Sequence, residues 1–240
     1  MSNLILVDHV KRLKQDLRSQ RDQLSQVHST RLHRSLSWLK AAGEQLESNN
    51  VDQAFINLWI SFSACFYIEG EESIAPFIEK LVALDTEQRI YTCLWNEYSQ
   101  SVKALIKNPY VFAEFWKAQR LMSEQLDVDE STKAASQELT DNIEAAWRVS
   151  FNQSSVEALN YLSRKKVAPL FSIVLDRLYV LRNQVLEGGA TFQSQVNREQ
   201  VEDGVALLSN IMPIIVRIML SSSDEDWGDI AYPVISFNGL

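Results

Sequence analysis

The chain predicts an all-α fold, and three observations carry that prediction. Glycine and proline are scarce, 7 and 5 among 240 residues, and neither gathers into the regularly spaced turns that an all-β chain needs. Apolar residues recur at intervals of three and four along several long stretches, the period of a helix that buries one side. An apolar share of 46% against 22% charged residues is enough to bury a substantial core and excludes wholesale disorder. One all-α domain over residues 1–240 is the expectation.

Taken in order, residues 4–26 read as a long polar helix with a thin apolar stripe at Leu6, Val10, Leu13, Leu17 and Leu24. Residues 9–40 hold eight Lys/Arg against two acidic residues. Lys11, Arg12, Lys14, Arg18 and Arg21 in that stretch read first as a solvated helix face and second as a surface for RNA or a partner. A second helix over 29–48 carries Leu32, Leu36, Leu39 and Leu46 on one side and stops at Asn49-Asn50. A third over 52–68 takes Asp52 as its N-cap. Its Phe55, Leu58, Trp59, Phe62, Cys65 and Phe66 predict burial along the whole length.

The middle is less regular. Helical patterns cover 72–84 and 86–107, Pro109 marks a break, and Tyr110, Phe112, Phe115 and Trp116 form an aromatic patch. Residues 124–144 hold seven acidic residues against Lys133, which reads as a solvated face, with a helix over 131–151. Arg164-Lys165-Lys166 reads as a solvated basic turn. Two strong helices follow, over 166–187 and 198–221. The second is apolar on a wide face (Val201, Val205, Leu208, Met212, Ile215, Met219), and Pro213 is expected to kink it. The acidic run 224–229 reads as a surface tail.

Charge and composition narrow the function. A net charge of −8 excludes a wholesale electrostatic nucleic-acid binder, so any phosphate recognition must be local. Cys65 and Cys93 lack metal or redox spacing and read as buried thiols of a reducing compartment. Asp8 and Lys11 interrupt any leader-like apolar run, and residues 54–68 are too short and too polar to span a bilayer. The expectation is a cytoplasmic protein with no membrane partner. His28 and His33 do not share a helix face, His9 reads as solvated, and no P-loop, dinucleotide fingerprint or nucleophile elbow is present. No metal and no cofactor are expected.

The chemistry-bearing run is Leu181-Arg182-Asn183-Gln184-Val185-Leu186-Glu187-Gly188-Gly189. It puts a guanidinium, an adjacent amide and an ionisable group five positions later on the last turns of a helix that the two glycines stop. The wider run from Leu178 to Phe192, with Val196-Asn197-Arg198-Glu199-Gln200, resembles the signature of bacterial HEPN-superfamily proteins of an Apea-like branch. The blocks His33–Leu39 and Phe55–Phe62 resemble the first two core helices of that branch, and the likeness covers residues 30–68 and 168–220. It implies a bundle with core helices at 29–68 and 166–221 and a helical insertion over 70–165. It also implies a homodimer in which motif residues of both copies meet, and a metal-independent ribonuclease of toxin–antitoxin or antiviral defence systems. A protein antitoxin or defence partner comes with that implication.

The resemblance assigns the site to Arg182, Asn183 and Glu187, with Glu187 standing where the family has histidine. Metal-free RNA cleavage needs a stabiliser for the phosphorane charge, which arginine supplies, and a proton carrier near neutrality, which histidine supplies. A carboxylate of ordinary pKa is ionised at neutral pH, cannot serve as the acid and repels phosphate. The expected function is therefore RNA recognition at a dimer cleft with cleavage weak or lost. The alternative is a non-catalytic module, protein-interacting or nucleotide-binding, that regulates a partner. Five positions place Glu187 about 140° round the helix from Arg182, so the carboxylate is expected to pair with a cation across the cleft.

Overall fold

The computed structural model describes residues 3–67, 73–124 and 133–234. The fold is all-α, 80% helical, with no strand among the described residues. After α1 (Asn3–Ser19) and a 3-10 turn come α2 (Gln26–Glu47), α3 (Val51–Phe66) and α4 (Ala75–Leu84). Then follow α5 (Arg89–Thr92), α6 (Ser99–Lys107), α7 (Ala113–Glu124), α8 (Lys133–Ser163), α9 (Val167–Leu186) and α10 (Arg198–Ser221).

Capping explains where the first long helices start and stop. The Ser25 hydroxyl accepts the His28 N–H at 3.1 Å and opens α2. Asn49 takes a left-handed φ of 53° and ends it. The Asn50 side chain then accepts the Gln53 N–H at 3.3 Å, so Asn50, not Asp52, is the N-cap of α3. Asp52 lies inside the helix because its carboxylate has other partners, described below.

The centre of the fold is α3, which has no exposed residue and packs on α2, α9 and α10. Leu32, Leu36, Phe55, Leu58, Phe62, Leu178, Leu208, Met212 and Ile215 are fully enclosed in one continuous cluster. Burying each such side chain contributes roughly 1.5–3 kcal/mol. Gly204 lets α10 approach closely, since a Cβ there would lie 2.9 Å from Phe55 and 3.0 Å from Leu178. By length and composition α10 alone among the described helices suffices to cross a membrane, but 67% of its apolar window is buried in this core. The helix runs unbroken through Pro213.

Four expectations need correction. The first helix stops at Ser19 and Arg21–Gln23 form a 3-10 turn. The pattern over 86–107 is not one helix. Asp85 accepts the N–H groups of Arg89 and Ile90 at 3.1 and 2.7 Å, which starts α5. A π-helical turn over Cys93–Glu97, closed by the Tyr98 N–H on the Cys93 carbonyl at 2.9 Å, then separates α5 from α6. The helix expected to end near residue 151 continues to Ser163, because Trp147 and Phe151 pack on Phe115 and Phe112 and Ala158 is buried.

The acidic C-terminal run keeps its carboxylates at the surface as expected, but it is not a free tail, because Trp227 ties it down. Trp227 is buried, stacked on His28 with centroids 6.1 Å apart and edge-on to Phe77 at 6.0 Å. Beneath it, the buried Arg31 donates to the carbonyls of Cys65 (3.0 Å), Tyr67 (3.3 Å), Gly228 (3.1 Å) and Asp229 (2.9 Å). A buried guanidinium must find acceptors, and here the end of α3 and the strap 227–229 supply them. Both cysteines are free and buried; burial pushes the Cys65 thiol up to about 11 and Cys93 up to about 12.

Candidate functional site

The C-terminal end of α9 is built by its glycines. Glu187 is the last half-helical residue, its N–H on the Asn183 carbonyl at 2.8 Å. Gly188 takes a left-handed φ of 75° and the Gly189 N–H returns to the Gln184 carbonyl at 2.8 Å, a six-to-one closure of the helix. The chain then folds back over 190–197 onto the start of α3. That return is clamped by Asp52, which accepts the Gln193 N–H and an Arg198 Nη1–H, each at 2.7 Å. Burial raises the Asp52 carboxyl, but these two hydrogen bonds outweigh it and hold it below the ordinary carboxylate range. Arg198 Nε also donates to the Ser194 carbonyl at 3.0 Å, and Asn197 donates to the Gln184 side chain at 2.6 Å.

Two of the clefts around this helix end lie on either side of Tyr179. The first, of about 460 Å³, lies between α7, α9 and the return segment. Asn183, Gln184 and Glu187 line it from α9, Trp116, Lys117 and Arg120 from α7, and Val196 and Asn197 from the return. The α7 wall is fixed to α9 through one acceptor: the Tyr110 carbonyl receives Trp116 Nε1–H at 2.7 Å and Gln184 Nε2–H at 2.6 Å. The second cleft, of about 430 Å³, lies between α3, α4 and α9 and holds Arg182 and Asp176 among aromatic walls.

The structure thus brings Asn183 and Glu187 into one cleft and places Arg182 in the other. Arg182 Nη1 donates to the Asn183 side-chain oxygen at 2.8 Å, and the guanidinium lies 5.9 Å from the Tyr179 ring centroid. Its Nε is buried without a partner among the described residues. Glu187 is exposed and makes no ion pair among the described residues, although Lys117 and Arg120 share its cleft. Lys117 is engaged by Glu114 at 2.6 Å.

The chain matches no family model, no curated protein and no solved structure. The site therefore has to be read from its own chemistry. The first cleft combines two cations, two exposed aromatic rings (Trp116 and Tyr179), three amides and one carboxylate. That set can seat a planar base on a ring and a phosphate between Lys117 and Arg120. It contains no histidine, the side chain best suited to carry a proton in such chemistry.

Sequence reasoning missed Lys117, Arg120 and Asp176. Trp116, Lys117 and Arg120 do fall within one helical turn beside the recognised aromatic patch, and that local clustering was the available signal. Their meeting with Glu187, about seventy positions away, leaves no local trace. The remaining candidates stay apart. His28 is buried and its Nε2–H donates to the Met219 carbonyl at 3.0 Å, whereas His33 and His9 are exposed. Lys11, Arg12, Arg18 and Arg21 form an exposed face of the N-terminal region.

Proposed function

We propose that the chain is a HEPN-like protein that binds single-stranded RNA at the C-terminal end of α9 and has lost most of its capacity to cleave it. The observation that carries this reading is the convergence of Lys117, Arg120, Trp116 and Tyr179 on Asn183 and Glu187 in one cleft. Aromatic faces stack bases without demanding a sequence, and paired cations hold the backbone between them. In a chain with net charge −8 such a local cationic pair matters more than any global field. The likeness of residues 30–68 and 168–220 to the HEPN superfamily adds the homodimer: a second copy across the helix end would bring a partner's Arg182 toward this chain's Glu187. Glu187 where the family has histidine removes the acid, leaving recognition without turnover.

Fluorescence anisotropy of a short labelled single-stranded RNA tests the reading. The double variant Lys117→Ala/Arg120→Ala is expected to weaken binding at least tenfold and to flatten its salt dependence by about one to two phosphate contacts. Glu187→Gln, which removes a repelling charge, is expected to tighten it. Glu187→His should restore cleavage that disappears again with Arg182→Ala. Unchanged RNA affinity in the double variant overturns the proposal.

A second reading rests on the exposed apolar residues around the same helix end, Leu186, Phe192 (69% exposed) and Val196 (66% exposed). They suit a non-catalytic module that docks on a protein partner. Loss of a co-purifying partner in Phe192→Ser, with RNA affinity absent throughout, favours it.

A further inference from the structure

The second cleft has a chemistry of its own. At about 430 Å³ it has the size of a small-molecule site. Its walls are aromatic: Trp59 tilts against Tyr179 with centroids 5.9 Å apart, and Phe66 against Phe77 at 5.9 Å. Tyr67 and Tyr179 stand at its mouth, 48% and 50% exposed, so one face of each ring is free to meet a ligand. These rings already touch one another, so a planar ligand would pack against their outward faces rather than between them.

The polar groups sit at separate places. Arg182 gives one Nη–H to Asn183 and keeps its other donors, and its Nε–H is buried with no acceptor among the described residues. A guanidinium in that state has donors to offer an anion or a carbonyl. Asp176 lies six residues earlier on α9, about 9 Å along the helix axis. It makes no salt bridge among the described residues, and the apolar walls raise its carboxyl above the ordinary range, with the neighbouring Arg177 opposing them. Asp176 is exposed, so it offers its acceptors at the mouth of the cleft.

We propose that this cleft binds a small planar aromatic molecule with an anionic group at one end, held by Arg182, and an amino group at the other, held by Asp176. Trp59, Phe66 and Tyr179 receive the ring. This cleft lies on the other side of Tyr179 from the RNA cleft and shares that ring with it, and Lys117→Ala separates the two readings. Two kinds of compound share the chemistry, an amino-aryl carboxylate and a nucleoside monophosphate with an amino-bearing base.

Isothermal titration calorimetry of the full chain with p-aminobenzoate and, separately, with adenosine monophosphate tests it. Saturable one-to-one binding of one probe is expected. Arg182→Gln and Tyr179→Ala should each weaken it at least tenfold, and Lys117→Ala, in the other cleft, should leave it within twofold. Asp176→Asn should weaken the amino-bearing probe but not benzoate or inosine monophosphate, its counterpart without the amino group. Tyr179 is half exposed, so its variant serves if Arg182→Gln fails to fold. Absence of binding by both probes at millimolar concentration overturns the proposal. So does binding that survives Arg182→Gln and Tyr179→Ala, or that Lys117→Ala abolishes.

Discussion

Arg31 and Arg182 are both arginines whose Nε finds no partner within the described protein, yet the molecule treats them in opposite ways. Arg31 is enclosed and its terminal nitrogens reach four backbone carbonyls, two at the end of α3 and two on the C-terminal strap. The carbonyl end of a helix carries partial negative charge, so α3 balances the cation although no carboxylate touches it. Arg182 is only partly covered, and folding brings it one side-chain acceptor, Asn183. The difference separates an arginine that closes a structure from one left with unused donors. How many acceptors folding delivers decides the role, more than burial alone.

The largest expected effect follows from that contrast. Arg31→Met leaves one buried and three part-buried carbonyls without this donor and should cost about 3 kcal/mol, whereas Arg182→Met should cost less than about 1 kcal/mol. Chemical denaturation of the two variants side by side checks this. Equal losses would break the comparison. A smaller effect is expected at the glycine that shapes the cleft end of α9. Gly188→Ala forces a Cβ into left-handed backbone and should cost about 1 kcal/mol, with no steric clash to add to it. Its thermal midpoint should fall while the Trp227 strap stays in place.

The smallest effect is a pH dependence at the strap. Burial depresses the His28 imidazole, with Arg31 acting in the same direction and the Met219 carbonyl opposing both. With the folded value below the unfolded one, the unfolded chain takes up the proton first as pH falls. Stability is therefore complete above about 6.5, the unfolded value, and declines as pH drops through the folded value. Denaturation midpoints between about pH 7.5 and about pH 5 should show a gentle slope that His28→Gln removes. A midpoint that rises on acidification contradicts the assignment.

Much of this architecture was legible in the residues. The apolar spacing of Val201, Val205, Leu208, Met212 and Ile215 predicts a helix at 198–221, where α10 lies, and Gly188-Gly189 marks the end of α9. Both signals are local, a period and a stop. What escaped was non-local. Asp52 reads as a cap until Arg198, 146 positions away, claims its carboxylate. Trp227 sits in an acidic run that reads as solvated until His28 and Phe77 receive its ring. The π-helical turn at Cys93–Glu97 shifts the helix register by one residue, which no periodicity announces. At the candidate site, the helix end and its three residues were visible, but not that Arg182 and Glu187 open on different clefts.

The clamp at Asp52 has a consequence for whatever arrives at α9. Residues 190–197 carry little secondary structure, and a segment of that kind ordinarily loses conformational freedom when a ligand orders it. Here the Gln193 N–H, and Arg198 just beyond the segment, fasten it to the most enclosed helix of the fold before any encounter. The rim of the first cleft is thus preorganised, and association there should proceed as docking on a rigid edge rather than as coupled folding.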